Sequence, residues 1–265
     1  MTYHPHQPRK RFGQNFLHDA NILRNMVAAI APEPGQKVIE IGPGRGALTF
    51  PLLEQTGTLT VVELDRDLIE PLRARAAEFG ELTIHNVDAL RFDFAALAAA
   101  DQPLRIVGNL PYNISTPLIF HLLQQAEVIH DMHFLLQKEV VDRMAAAPGG
   151  KEYGRLSIMV QYHCRVEPLF GVGPGAFYPP PKVDSAFVRL IPHKTLPIAA
   201  RDPAILEKLV RQAFSQRRKT LRRSLKSMVT ETLLQDVGID PGNRPEQISI
   251  SDFVNLANAL ANKGK

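Results

Sequence analysis

Val38-Ile39-Glu40-Ile41-Gly42-Pro43-Gly44-Arg45-Gly46 reads as a buried strand running into a glycine-rich turn, and residues 47–53 continue it as a helix. Strand, glycine turn and helix in this order open a nucleotide-binding α/β unit, because glycines let backbone N–H groups approach a ligand closely. The spacing is Gly-x-Gly-x-Gly, not the Gly-x-Gly-x-x-Gly of dinucleotide sites. Glycine turns also occur in plain βα connections, so the motif gains weight only from its partner. Residues 59–65 supply one: a second strand ending in acid, with Glu63 placed 21 residues beyond Gly42. A carboxylate at about that spacing can accept both hydroxyls of a ribose, and no basic residue replaces it to favour a 2′-phosphate. Asp65 is the rival acid and is expected instead to cap the helix beginning near Asp67.

Two further strands end in chemistry. Residues 82–87 close on Asp88, which could take a hydrogen bond from an adenine amino group or simply cap a loop. Ile106-Val107-Gly108-Asn109-Leu110-Pro111-Tyr112 delivers an amide, a φ-locked proline and an aromatic ring within four residues. That set suits a planar amine held between hydrogen-bond acceptors and a flat face, although a strand followed by a turn is the commoner meaning of Asn-x-Pro. Ligands of open α/β sheets bind at such carboxyl-terminal strand ends.

Around these lie less specific elements. Residues 9–19 mix charge, amides and two phenylalanines and read as a loop or lid. Apolar residues from Ile22 to Ile30 follow helical spacing, stopped by Pro32 and Pro34. Residues 95–100 suggest a surface helix; 116–124 and 139–147 suggest helices, and 132–137, 166–172 and 186–191 suggest strands. Between the last two strands, Phe177-Tyr178-Pro179-Pro180-Pro181-Lys182-Val183-Asp184-Ser185 contains three prolines that could hold Phe177 as a second flat face, or merely stiffen a connection. His163 reads as a packing or surface histidine. Composition changes across 192–203, and beyond it the periodicity is helical, with Ser249 placed to cap a last helix.

The chain has 265 residues, 45% of them hydrophobic, enough for a large α/β domain and a smaller appendage. Its one cysteine cannot form an internal disulfide or a cysteine-rich metal site, which points to a reducing compartment. Without an apolar signal core or membrane span, a cytoplasmic protein is expected. The net charge is only +4, but eight Lys/Arg and no acid fall between Lys208 and Lys226, and Arg9-Lys10-Arg11 adds a second cluster. Positive charge gathered on an otherwise net-negative chain suggests a polyanionic partner.

In this order the motifs resemble the ribosomal RNA adenine N6,N6-dimethyltransferase family, its small-subunit branch in particular. The resemblance rests on Arg11-Phe12-Gly13-Gln14-Asn15-Phe16-Leu17, Glu40-Ile41-Gly42-Pro43-Gly44, Glu63-Leu64-Asp65 and Gly108-Asn109-Leu110-Pro111-Tyr112. Downstream it rests on Leu136-Gln137-Lys138-Glu139-Val140, Tyr153-Gly154-Arg155-Leu156-Ser157, Phe177-x-Pro179-x-Pro181-x-Val183-x-Ser185 and Phe214-x-Gln216-Arg217-Arg218-Lys219-Thr220. Arg45-Gly46 departs from what often follows Gly-Pro-Gly in relatives. The family implies a Rossmann-like class I methyltransferase domain, with a seven-stranded, mostly parallel sheet whose last strand is antiparallel, over residues 1–195, its first 20 residues a tail and lid. A small helical RNA-recognition domain over 196–265 completes it. It implies S-adenosylmethionine as donor and no metal, with Asn15 and Leu17 closing over the donor. Gly42 and Gly44 pass its methionine part, Glu63 holds the ribose, Asp88 reads the adenine, and Asn109 lies where donor and acceptor meet.

The expected reaction dimethylates N6 of two adjacent adenosines in a hairpin loop near the 3′ end of 16S rRNA, by a monomer acting in small-subunit biogenesis. Asn109 Oδ1 and the Leu110 carbonyl would accept the two amino hydrogens, and Tyr112 and Phe177 would stack on the base. Arg217, Arg218, Lys219, Arg222 and Arg223 would contact phosphates. The alternatives are the same reaction on large-subunit RNA, and an assembly factor acting mainly by binding.

Overall fold

The computed structural model describes residues 14–99, 102–216 and 218–263. Among them the strands are β1 (Phe16–Leu17), β2 (Val38–Ile41), β3 (Thr58–Val62), β4 (Glu81–His85), β5 (Leu104–Asn109), β6 (Ile129–Gln137), β7 (Cys164–Val172), β8 (Phe177–Tyr178) and β9 (Ser185–Pro192). The helices are α1 (Ala20–Ile30), α2 (Thr49–Thr56), α3 (Ile69–Ala76), α4 (Ser115–Leu123), α5 (Lys138–Ala145), α6 (Arg155–His163), α7 (Pro203–Phe214), α8 (Leu221–Ser224), α9 (Glu231–Asp236) and α10 (Ile250–Lys263).

β2 is buried on both faces and sits near the middle of a seven-stranded sheet of order β4-β3-β2-β5-β6-β9-β7. Pairing is parallel from β4 through β6, and β9, last of the seven in sequence, runs antiparallel to β6. The chain steps outward from β2 to β3 and β4, then returns to β5 on the other flank of β2. That reversal opens a crevice at the carboxyl ends of β2 and β5, where loops leave in opposite directions. The two strands approach unusually closely there: a Cβ on Gly108 would lie 2.5 Å from the Ile41 carbonyl oxygen, so only glycine fits. At the other end of the sheet, Arg105 grips the fully buried Asp131 with two hydrogen bonds of 2.9 and 3.0 Å. It also donates to the Ile30 and Ala31 carbonyls, satisfying the last turn of α1.

Several boundaries differ from the sequence reading. The expected helix over 47–53 begins at Thr49, because residues 44–48 are still spent on the turn. The third strand ends at His85, and in place of the expected helix over 95–100 the described residues 95–99 hold a 3-10 turn, Ala95–Leu97, ended by an extended Ala98. Asp65 does cap the turn after β3, accepting from Asp67 N, and Asp19 caps α1 in the same way. Ser249 forms a reciprocal cap with Asp252 at α10.

The chain divides into two compact units, one of residues 1–141 and 167–192 and the other of 142–166 and 193–265. The second therefore includes 142–166, which the sequence reading assigned to the first domain. Within it, Leu206, Leu209, Val210 and Ala213 of α7 are fully buried, as are Leu221, Leu225 and Phe253. Tyr153 packs edge-on to Phe214, which in turn meets Phe253. His163 lies in this unit, and burial holds its imidazole below the usual histidine range.

Candidate active site

A cavity of about 550 Å³ opens at the carboxyl ends of β2, β3 and β5, and the first unit alone supplies its walls. Its floor is the glycine turn. Gly46 adopts φ +83°, and a Cβ there would collide with the Phe50 ring at 2.3 Å, so the turn is built around a glycine where the sequence alone left its geometry open. Opposite the turn stands Glu63, 7% exposed. Its two oxygens accept from Asp65 N at 2.8 Å and Gly44 N at 3.3 Å, which fixes the carboxylate against the turn. Burial raises its pKa above the usual carboxylate value, while these backbone donors oppose the shift. Asp88 lines the cavity and caps its own turn, its side chain accepting from Leu90 N.

The segment 14–18 lies over this floor. β1 pairs antiparallel with β8, setting Leu17 beside Phe177 and Phe16 beside Tyr178. The Phe16 ring packs on Gly44, with the Arg45 guanidinium 4.8 Å from its centre. Gln14 donates to Asp65, and the Asn15 carbonyl accepts from Asn109 Nδ2 at 3.0 Å. This last bond orients the Asn109 amide: with Nδ2 committed to Asn15, Oδ1 is left as the acceptor at the cavity wall. Tyr112 also lines the wall, its hydroxyl 2.7 Å from Ser185 Oγ, which locks the ring plane. Burial raises its pKa above the ordinary phenol value.

One expectation is corrected. Phe177 does not offer a flat face to the cavity; it is 2% exposed within the core, beside Leu17 and Val172. Because strand residues alternate, the neighbouring Tyr178 points the other way, is 60% exposed and lines the cavity. Asn15, Leu17, Gly42, Gly44, Glu63, Asp88, Asn109, Leu110 and Tyr112 all line one cavity. Among the wall residues not anticipated are Tyr178, Leu64 and Glu40. Glu40 carried a signal, as the one acid in an otherwise apolar strand. It is 2% exposed, with Oε2 buried and without a hydrogen-bond partner among the described residues. Desolvation raises its pKa to about 8, partly offset by the Thr49 hydroxyl and reinforced by the nearby Glu63.

Known proteins resemble this chain in sequence and in fold. The sequence matches the family described as ribosomal RNA adenine dimethylase over residues 5–262. The chain belongs to that family. It is 59% identical over 262 residues to ribosomal RNA small subunit methyltransferase A of Marinobacter nauticus, covering 99% of this chain and 95% of the relative. Among solved structures, a dimethyladenosine transferase from Plasmodium falciparum superposes with a TM-score of 0.81 at 26% identity, over 94% of this chain and 98% of the other. The 23S rRNA methyltransferase ErmE shares the fold with a TM-score of 0.70 at 24% identity, over 93% of this chain and all of the other. The fold is thus the Rossmann-like class I methyltransferase fold, with a mostly parallel sheet and a helical C-terminal region, and the family carries ribosomal RNA adenine dimethyltransferase activity.

The remaining residues of interest lie in the second unit. Arg218, Lys219, Arg222 and Arg223 are exposed, and Arg222 sits 3.8 Å from Glu231, so part of its charge is met within the chain. Arg217 and the cluster at residues 9–11 lie outside the described residues. Among the described residues, no group of three or more His, Cys, Asp or Glu could hold a metal ion, and no helix is long and apolar enough to cross a membrane.

Proposed function

We propose that this protein transfers methyl groups from S-adenosylmethionine to N6 of two adjacent adenosines in a hairpin loop near the 3′ end of 16S rRNA, as a step in small-subunit maturation. The observation that carries the reading is the committed Asn109 amide, whose Oδ1 faces a cavity shared with Glu63 and the glycine turn. The wall suits the donor: Glu63 offers a buried carboxylate to a ribose, Gly42 and Gly44 leave room for the methionine part, and Asp88 and Leu64 flank space for a planar base. Asn15 and Leu17 belong to the segment that lies across it. The donor supplies an electrophilic methyl group on a sulfonium.

The residues of the chain must solve the other half of the problem, since an adenine amino group is a poor nucleophile with its lone pair delocalised into the ring. Asn109 Oδ1 and the Leu110 carbonyl accept its two hydrogens, drawing the nitrogen toward a tetrahedral shape and aiming the lone pair. Tyr112, held by Ser185, stacks on the extruded base, and the exposed Tyr178 offers the second aromatic surface in place of Phe177. Positioning and fixed dipoles supply the acceleration, and no strong base is needed because the methylated nitrogen loses its proton readily. Arg217, Arg218, Lys219, Arg222 and Arg223 hold phosphates of the RNA, giving affinity with little base information.

The test is a transfer assay with labelled donor on purified small and large ribosomal subunits from cells lacking the protein, with the modified residues located by mass spectrometry. Label should enter two adjacent adenosines of 16S rRNA. Label in the large subunit instead would sink the choice of substrate. An Asn109→Ala protein that restores subunit assembly without methylating would favour a binding role over a catalytic one.

A further inference from the structure

One cavity-wall carboxyl is left unused by the reaction just described. Glu40 lies in the middle of the sheet, on β2, where a charged side chain is rare. It is 2% exposed, lines the cavity, and presents a buried Oε2 with no hydrogen-bond partner among the described residues. A buried carboxylate left in that state is costly unless it is protonated or faces a cation. The groups that bear on it are the Thr49 hydroxyl from α2, which helps the anion, and Glu63 from β3, which opposes it. The other titratable groups on the wall are His18, Arg45, Asp88, Tyr112 and Tyr178. Of these only Arg45 carries a fixed positive charge, and it is engaged over the Phe16 ring. Glu63 differs from Glu40 in having a backbone donor on each of its oxygens. The pair thus divides into one carboxyl solvated by the fold and one that is not.

We propose that Glu40 is a specificity-determining carboxyl that senses the positive charge of the methyl donor: it is neutral when no cation faces it, and it ionises when the donor binds, releasing its proton to solvent. This rests on the donor assignment above. The balance is one protonated carboxyl plus one cationic donor giving one carboxylate–cation pair plus one free proton. S-adenosylhomocysteine, the product, lacks the sulfonium charge and provides less reason to ionise Glu40. The same carboxyl therefore favours substrate over product, and does so more strongly as pH rises toward neutrality. Burial supports this protonation state, since it lifts the Glu40 pKa to about 8.

The experiment is titration calorimetry of the full chain with S-adenosylmethionine and, separately, S-adenosylhomocysteine, between pH 6 and 7, in buffers of differing ionisation heat. Wild-type protein should release close to one proton per donor bound, so that the donor Kd falls roughly tenfold over that unit of pH. Product should release fewer protons and show a shallower slope. Glu40→Gln, which keeps size and shape, should abolish the release and bring the affinities for donor and product closer together. An infrared difference spectrum of wild-type protein should also lose a protonated-carboxyl band on donor addition, a readout that does not require the variant to fold. Donor binding without proton release, equal release by donor and product, or a Glu40→Gln protein with an undiminished pH slope would each overturn the inference while leaving the donor assignment standing. Binding of neither ligand by wild-type protein would overturn both.

Discussion

Asn109 is held by a backbone atom, not by a neighbouring side chain, and this decides what its loss should do. The Asn15 carbonyl fixes the amide so that the acceptor is preset before substrate arrives, the kind of oriented dipole whose removal typically costs about 2.7–4 kcal/mol of transition-state stabilisation. Asn109→Ala should lower kcat on the order of 10²–10³-fold while donor affinity, measured by calorimetry, is only partly reduced. A variant with unchanged kcat would remove Asn109 from the chemistry. The adjacent aromatic pair makes a complementary test, because alternation along β8 sends its two rings to opposite sides. Phe177→Ala should act on the fold, destabilising it by roughly 3–5 kcal/mol as a buried aromatic deletion. Tyr178→Ala should leave the urea midpoint almost unmoved and raise KM for the RNA substrate. Reversal of those two outcomes would return the stacking role to Phe177.

At the scale of elements, the parts legible in the sequence are those whose patterns reflect local physics. The apolar run of β2 into its glycine turn, the acid ending after β3 and the Asn-Leu-Pro-Tyr exit from β5 each announced a strand and where it ends, and one cavity gathers those ends. What could not be read is what long-range pairing decides. The two-residue strand Phe16–Leu17 has no periodicity of its own and exists because Phe177–Tyr178 offers it an edge. Which of Phe177 and Tyr178 faces the cavity depends on that register, and a shift of one residue exchanges them. Glu40 belongs to a motif legible in the sequence, but its burial is not, since it follows from β3 and β5 closing around β2. The basic stretch after α7 is likewise legible as charge but not as exposure, and the Arg222–Glu231 pair shows some of it answered inside the chain. Its expected contribution is still testable: replacing Arg218 and Lys219 together by Glu should weaken binding of the small subunit and flatten the dependence of log Kd on log salt by about two phosphate contacts. Equal salt slopes for variant and wild type would take this stretch out of the RNA contact.

For the whole molecule, two buried groups in the sheet pull stability in opposite directions with pH. His133 is fully buried beside Asp131 and stacks on Phe187, and desolvation lowers its pKa from 6.5 to about 4. A depressed folded-state pKa means stability that is complete above the unfolded value and lost as pH falls toward 4, here by about 3 kcal/mol over the window. Glu40 has the reverse sign. Its folded pKa, raised from 4.5 to about 8, gives stability that is complete below 4.5 and drains away as pH rises to 8. Between 4.5 and 6.5 the two slopes are each close to one proton and cancel; above 6.5 only Glu40 is left. Their joint contribution should therefore be level across the mildly acidic range and decline by about 2 kcal/mol between pH 6.5 and 8 in the ligand-free protein. Urea midpoints at half-unit steps of pH would display the decline, and in Glu40→Gln it should vanish while the His133 loss, no longer cancelled, sets in as pH falls below 6.5. His133→Asn should do the converse, removing the acid-side loss and leaving a decline toward pH 8 that now begins near pH 4.5. If saturating S-adenosylmethionine also erases the wild-type decline, the donor and the substitution are acting on the same proton.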